Sequence, residues 1–209
     1  MGQSKLLYGF GKVVCTPIFK VLYRYKVVNK NNIPPEGGYI IACNHLSNID
    51  PVLLGLGQKR RIFFMAKDEL FKNKFFSALI RGLGAFPVKR GTADEKAIKN
   101  GEDIILEGNV MGIFLEGGRS KTGELMRPRS GCALVAQQTK VPVVPACITI
   151  VGNKKNIFAK RVIHFAEPLT NEDLGLLTGN RRELKNASDK IMDKIREMRE
   201  QDLNEYKRG

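Results

Sequence analysis

At 209 residues, with 43% hydrophobic and 27% charged residues, the chain is long enough to bury one core and too apolar to be disordered or collagen-like. Thirty-five Lys and Arg against 21 Asp and Glu leave a formal charge of +14, which directs partners towards anions: nucleic acid, an acidic membrane surface, an acidic protein or a phosphorylated small molecule. The cysteines (Cys15, Cys43, Cys132, Cys147) lack C-x-x-C spacing and the histidines are only two, which argues against a zinc site and for reduced, buried thiols in a cytosolic compartment.

Residues 1–30 carry Lys5, Lys12, Lys20, Arg24, Lys26 and Lys30 and no acid. The charges are scattered among apolar residues, unlike those of an export signal. Lys12 and Lys20 would each cost about 2.5–3.5 kcal/mol at the centre of a membrane span, so a crossing is disfavoured. The helical period places Leu7, Phe10, Val14, Ile18, Val21 and Tyr25 on one side and Lys5, Lys12 and Lys20 on the other. Thr16-Pro17 reads as a cap and first helical residue, predicting two helices, about 3–14 and 17–27. A basic amphipathic pair suits an anionic membrane interface. The competing reading packs the same stripe on the domain's own core.

From residue 38 short apolar runs alternate with longer amphipathic ones. Tyr39–Cys43 reads as a buried strand, and Asp50-Pro51 opens a helix. Strand 61–65 follows, then a helix from Asp68 to about Arg81, stopped by Gly82 and Gly84. Residues 85–88 form a short strand. The capping pattern Thr92-Ala93-Asp94-Glu95 starts a helix to about Glu107. Strand 110–115, a helix over 131–138, strands 141–151 and 161–166, and a helix over 180–205 complete the chain. In the last helix Leu184, Ala187, Ile191, Ile195 and Met198 line one face. The pattern predicts an α/β domain over 31–209, with a mostly parallel central sheet flanked by helices, preceded by the two-helix amphipathic segment of residues 1–30. Neither G-x-G-x-x-G nor a P-loop is present, so nucleotide binding has little support.

Two segments carry the chemistry. In Asn44-His45-Leu46-Ser47-Asn48-Ile49-Asp50-Pro51 a histidine and an aspartate flank a polar loop at a strand end. Their separation of five is not helical contact spacing, so they meet only if the loop folds back. An aspartate on one imidazole nitrogen would leave the other as a general base. The spacing equally allows a loop histidine beside a plain helix cap. Ser47 and Cys43 are poorly disposed as nucleophiles. The second segment, Phe114-Leu115-Glu116-Gly117-Gly118-Arg119-Ser120, runs a strand into a Gly-rich turn whose backbone and arginine suit phosphate oxygens. His45, Lys67, Arg90 and Arg119 all follow predicted strand ends, where parallel sheets gather ligands. Together they offer a base and several cations to one anionic substrate.

These residues resemble the glycerolipid acyltransferase family, especially its members acting on lysophosphatidate. Asn44-His45 with Asp50 is similar to that family's N-H-x-x-x-x-D box, and 114–120 to its F-P-E-G-T-R-S box, with Leu115 and Gly118 in place of the usual Pro and Thr. Residues 66–70, 84–90 and 141–145 resemble its remaining blocks, in order and correctly spaced. At 126–131 the chain has Met-Arg-Pro-Arg-Ser-Gly where the family more often has a Lys-Gly or Phe-Lys-x-Gly stretch.

The resemblance implies acyl transfer from a thioester, acyl-CoA or acyl carrier protein, to the sn-2 hydroxyl of lysophosphatidate, giving phosphatidate. His45 would be the base and Asp50 its orienter. Lys67, Arg119 and Arg90 would hold the phosphate, Glu116, Gly117 and Gly118 would shape that site, and residues 141–146 would wall the acyl chain. No metal or bound cofactor is implied. The expected place is the cytoplasmic face of a membrane, peripheral or monotopic, among anionic lipids. Other acceptors in the family, glycerol-3-phosphate or a head-group lysophospholipid, are the nearest alternatives. A basic nucleic-acid-binding module explains the charge but not the ordered boxes; with no Trp and 8% aromatics it lacks the stacking residues of a single-strand binder. A catalytically dead membrane protein of the same fold is opposed by the intact His45–Asp50 pair.

Overall fold

Tyr39–Cys43 is an unbroken apolar run, the mark of a parallel strand covered on both faces, and all five residues are buried. Around it the computed structural model of the chain, which describes residues 3–88, 95–153, 156 and 158–207, builds one α/β layer structure. In chain order the elements are α1 (Gln3–Tyr23), β1 (Lys26–Val28), β2 (Tyr39–Cys43), α2 (Asp50–Gly57), β3 (Ile62–Lys67), α3 (Lys74–Gly82), β4 (Ala85–Val88), α4 (Glu95–Leu106), β5 (Val110–Phe114), α5 (Gly131–Thr139), β6 (Val143–Val151), β7 (Lys160–Phe165), α6 (Asn171–Leu174) and α7 (Arg181–Lys207).

The strands lie in the order β1-β7-β6-β2-β5-β3-β4. All neighbours run parallel except β6 and β7, which pair antiparallel from Ala146↔Phe165 to Val151↔Lys160. The expected mostly parallel sheet is thus present. The carboxyl ends of β2, β5, β3 and β4 therefore open at one edge, side by side.

Alternation along β2 divides the core. Ile40 and Ala42 join Met111, Ile105, Ala133, Val135, Ile191 and Ile195 beneath α4, α5 and α7. Tyr39, Ile41 and Cys43 join Leu53, Leu54, Ile62, Val144 and Ile163 beneath α2, with Phe19 and Tyr23 of α1 against them. Each fully buried large aliphatic side chain contributes about 1.5–3 kcal/mol of transfer free energy, so these two layers rather than surface ion pairs hold the sheet.

The N-terminal segment differs from its expectation. A single helix runs through the predicted break, with Pro17 inside it. Pro17 removes the donor that Val13's carbonyl would accept, but both residues are exposed, so water replaces the lost partner. Thr16 Oγ1 donates to Lys12 O at 2.6 Å and steadies the same turn. The helix stops at Tyr23, Arg24 adopts a positive φ of 41°, and Lys26–Val28, whose first two residues fell in the expected helix, pairs with β7 as an edge strand.

The facing also differs. Phe10, Val13, Val14, Ile18 and Val21 are exposed, Val13 and Val21 at 74%. Of the predicted stripe, Phe10, Val14, Ile18 and Val21 therefore do not pack on the domain's own core, whereas Tyr25 does. Lys12, expected on the opposite, solvated side, reaches inward and donates to the carbonyl of Gln58. The predicted helix from Asp68 divides into a 3-10 turn, Asp68–Phe71, and α3. The cap at Thr92 and the candidate cation Arg90 lie outside the described residues. Among the described residues no helix is long and apolar enough to cross a membrane.

Candidate active site

The loop after β2 turns back because Asp50 draws it in. The Asp50 carboxylate is 1% exposed and opens α2, with Pro51 next. Its Oδ2 accepts from Leu46 N–H at 2.6 Å and Ser47 N–H at 2.7 Å. Ser47 Oγ donates to Oδ1 at 3.0 Å and accepts the Ile49 N–H at 3.2 Å. This knot brings the His45 ring to Asp50, Nδ1 to Oδ2, at 2.9 Å. Spacing left two readings open, and the geometry selects the oriented pair. With Nδ1–H directed at the carboxylate, Nε2 keeps its lone pair.

The second box holds the same histidine from behind. His45 N–H donates to Glu116 Oε1 at 3.4 Å, and His45 O accepts from Ser120 N–H at 2.8 Å. Leu115 N–H donates to Cys43 O at 2.9 Å, carrying the β2–β5 pairing past the strand ends. Glu116 is 4% exposed, and burial pushes its carboxyl above the usual range, against the backbone N–H groups of His45 and Met126. Its observed contacts make it a brace for the histidine backbone. Gly117 turns with φ +66°, and a Cβ there would fall 2.6 Å from Cδ and Nε of Arg129. The positive φ strains any side chain there, and a Cβ would also require the Arg129 side chain to shift.

Sequence reasoning missed the supporting roles of five residues: Phe114, Phe64, Gly112, Asn44 and Ser47. Phe114 stacks on the His45 ring at 3.9 Å between centroids, and Phe64 stacks on Phe114 at 5.6 Å. Gly112 makes room for this column: a Cβ there would lie 2.2 Å from Phe64 Cε1. Asn44 accepts from Ile148 N–H at 2.9 Å and donates to Ile148 O at 3.1 Å, fastening β6 where β2 ends. Ser47 closes the loop as described. Asn44, Ser47 and Phe114 had a signal in their membership of the two boxes; Phe64 and Gly112, inside strands outside the boxes, had none, and the partners of all five were not readable.

The histidine faces a cavity of about 590 Å³. His45, Asn48, Lys67 and Arg119 line it, and its walls come from α1, α2, β3, α3 and β4. Val52, Leu56, Ile62, Phe64, Leu70 and Leu83 make most of that lining apolar. The cavity follows α2 from the His45 end to Gly55 and Leu56, a helix about 12 Å long at 1.5 Å per residue. The expected wall, 141–146, is absent from the lining; Val143, Val144 and Ala146 are buried inside the sheet because β6 is an interior strand.

Lys67 and Arg119 thus join His45 around one opening. Lys67 Nζ pairs with Glu69 Oε1 at 2.7 Å, which holds that carboxyl down to about 2. Burial pushes the Cys43 thiol well above its ordinary range, removing it as a nucleophile. An aspartate-oriented imidazole, cations and an apolar cavity suit deprotonation of a hydroxyl on an anionic amphiphile.

Comparison with known proteins follows the same lines. A protein named 1-acyl-sn-glycerol-3-phosphate acyltransferase from Bacillus subtilis is 35% identical over 160 residues, 75% of this chain and 79% of that protein. A Streptococcus pneumoniae protein of the same name is 29% identical over 150 residues, 70% of this chain and 56% of that protein. The crystal structure of the 1-acyl-sn-glycerophosphate acyltransferase of Thermotoga maritima shares the fold, with a TM-score of 0.67 at 24% identity, covering 98% of this chain and 79% of that one. A sequence model of the family described as Acyltransferase matches residues 24–149, from just before β1 into β6 and through both boxes. The chain belongs to the Acyltransferase family.

Proposed function

We propose that the protein transfers a fatty acyl group from a thioester to the sn-2 hydroxyl of 1-acyl-sn-glycerol 3-phosphate. The observation that carries this reading is the junction at His45: an Asp50-oriented imidazole stands where two cations meet an apolar cavity. Head group and chain of one lipid need those two surfaces together. The names of the Bacillus and Streptococcus relatives support the acceptor.

In the reaction, His45 Nε2 takes the proton of the sn-2 hydroxyl as its oxygen attacks the thioester carbonyl. The tetrahedral intermediate collapses, the C–S bond breaks, and the thiolate leaves with the proton from the imidazolium. Asp50 stabilises that transient cation. The acceptor is itself the nucleophile, so no acyl-enzyme forms. Arg119 and Lys67 hold the phosphate, with Arg90 as a further candidate. Glu116 and the Gly117-Gly118 turn set the frame for Arg119 and His45. The lined cavity takes an acyl chain. Acyl-CoA and acyl carrier protein both satisfy the donor chemistry, and the reaction calls for neither metal nor bound cofactor. The exposed stripe of α1, in a strongly basic segment, seats the protein peripherally on anionic lipid at the cytoplasmic face.

The test is acceptor competition in one assay. Lysophosphatidate, glycerol-3-phosphate and lysophosphatidylcholine are offered together with each donor. The proposal expects phosphatidate as the dominant product; a dominant diacyl choline lipid or lysophosphatidate would replace the acceptor.

A further inference from the structure

We infer that the 3-10 turn and first turn of α3, around Phe75, form a second membrane-contact element, separate from α1, that fits an anionic bilayer surface. Phe75 is 91% exposed, the most exposed large apolar side chain among the described residues. It does not stand alone. Leu70 and Leu83, at 45% and 37% exposure, flank the same helix–turn unit, and both also line the cavity. Leu70 and Leu83 thus reach both the surface and the space that holds His45.

Charge identifies the partner. Lys72 and Lys74, both exposed, immediately precede this apolar point in the chain. Of the nearby acids, Glu69 is engaged by Lys67. An exposed aromatic tip beside lysines is the arrangement that enters an anionic interface: the ring sits among acyl chains while the ammonium groups meet phosphates. The helix also packs on α1, whose outer stripe is exposed, and the two helices together wall the cavity. A lipid moving from bilayer to cavity then passes along an apolar rim rather than through water. The surface rests on the lipid reading above and adds a contact that reading does not need.

The test uses the full chain and sedimentation with vesicles of phosphatidylglycerol and phosphatidylcholine, or of phosphatidylcholine alone. Phe75→Ser is expected to lower binding to anionic vesicles about tenfold. Lys72→Ala with Lys74→Ala is expected to lower it by about tenfold on anionic vesicles and little on neutral ones. Because these side chains are exposed, melting temperatures should match wild type. Transfer to a short-chain lysophosphatidate below its micelle concentration should survive Phe75→Ser. Wild-type vesicle binding by Phe75→Ser overturns the inference. So does a loss confined to an acidic acyl carrier protein, which would make this a protein-docking surface, or an equal loss on the monomeric acceptor, which would place Phe75 in the site. If the wild type transfers no acyl group, the functional reading fails, while the vesicle comparison still decides this surface.

Discussion

Replacing Asp50 with Asn keeps the shape of the side chain and removes its charge. Three donors converge on or beside Oδ2: His45 Nδ1, Leu46 N–H and Ser47 N–H. The carboxamide oxygen will take that place, leaving its NH2 towards Ser47 Oγ, which can accept. The loop and the histidine tautomer are therefore retained. What is lost is attraction for the imidazolium. At about 4 Å and an effective dielectric constant of about 20, a full pair of charges attracts by about 4 kcal/mol. The transition state develops part of that charge, so the expected loss in kcat/KM runs from about 30-fold to about 10³-fold. Weaker bonds to the two loop N–H groups should cost about 1–2 kcal/mol in stability, seen as a Tm lowered by about 2–8 °C. Acyl transfer and thermal melting on the same preparation check both. If Asp50→Asn keeps more than a third of wild-type kcat/KM with its fold intact, Asp50 is only a staple for the loop and the base assignment loses its support.

Gly112→Ala should destabilise by about 1–3 kcal/mol and lower kcat, because its Cβ displaces Phe64 and, through it, the Phe114–His45 stack; unchanged melting and turnover would show the column has slack. Arg119→Ala should raise KM for lysophosphatidate by about tenfold to a hundredfold, with partial recovery in Arg119→Lys, whereas an effect on kcat alone would move Arg119 away from the phosphate. Lys12 is held down to about 8 by burial, with Lys30 adding to the effect. Between about 8 and 10.5 the unfolded chain binds the proton and the folded one does not, so Lys12's contribution to stability rises with pH across that window. The melting difference between wild type and Lys12→Met should change with pH there; a flat difference contradicts the buried ammonium.

The catalytic pair was legible because its chemistry is local. The four-residue loop between His45 and Asp50 closes as its own backbone N–H groups donate to Asp50, and Pro51 marks where α2 begins. Buried strands such as Tyr39–Cys43 were legible as apolar runs. The failures have physical causes. The Thr16-Pro17 signal reads as a helix start, but the helix runs through Pro17, where both Val13 and Pro17 are exposed. The outward face of α1 was not decidable from periodicity, since an amphipathic helix shows two faces and not their directions. Gly11 and Cys15 allow that helix to approach the cavity, while Lys12 lays its stem along the wall. β1 has three residues and a partner more than a hundred positions away, too short and too distant to announce itself. The cavity draws on α1, α2, β3, α3, β4 and the end of β5 together with loop residues, so no single segment displays it.

The central claim is most directly tested by acyl transfer to lysophosphatidate in vesicles, with wild type and His45→Ala side by side and both thioester donors supplied. The account predicts phosphatidate from the wild type and a loss of about 10²-fold or more in the variant, the scale of a missing general base. Full activity in His45→Ala, or none in the wild type with either donor, would contradict it.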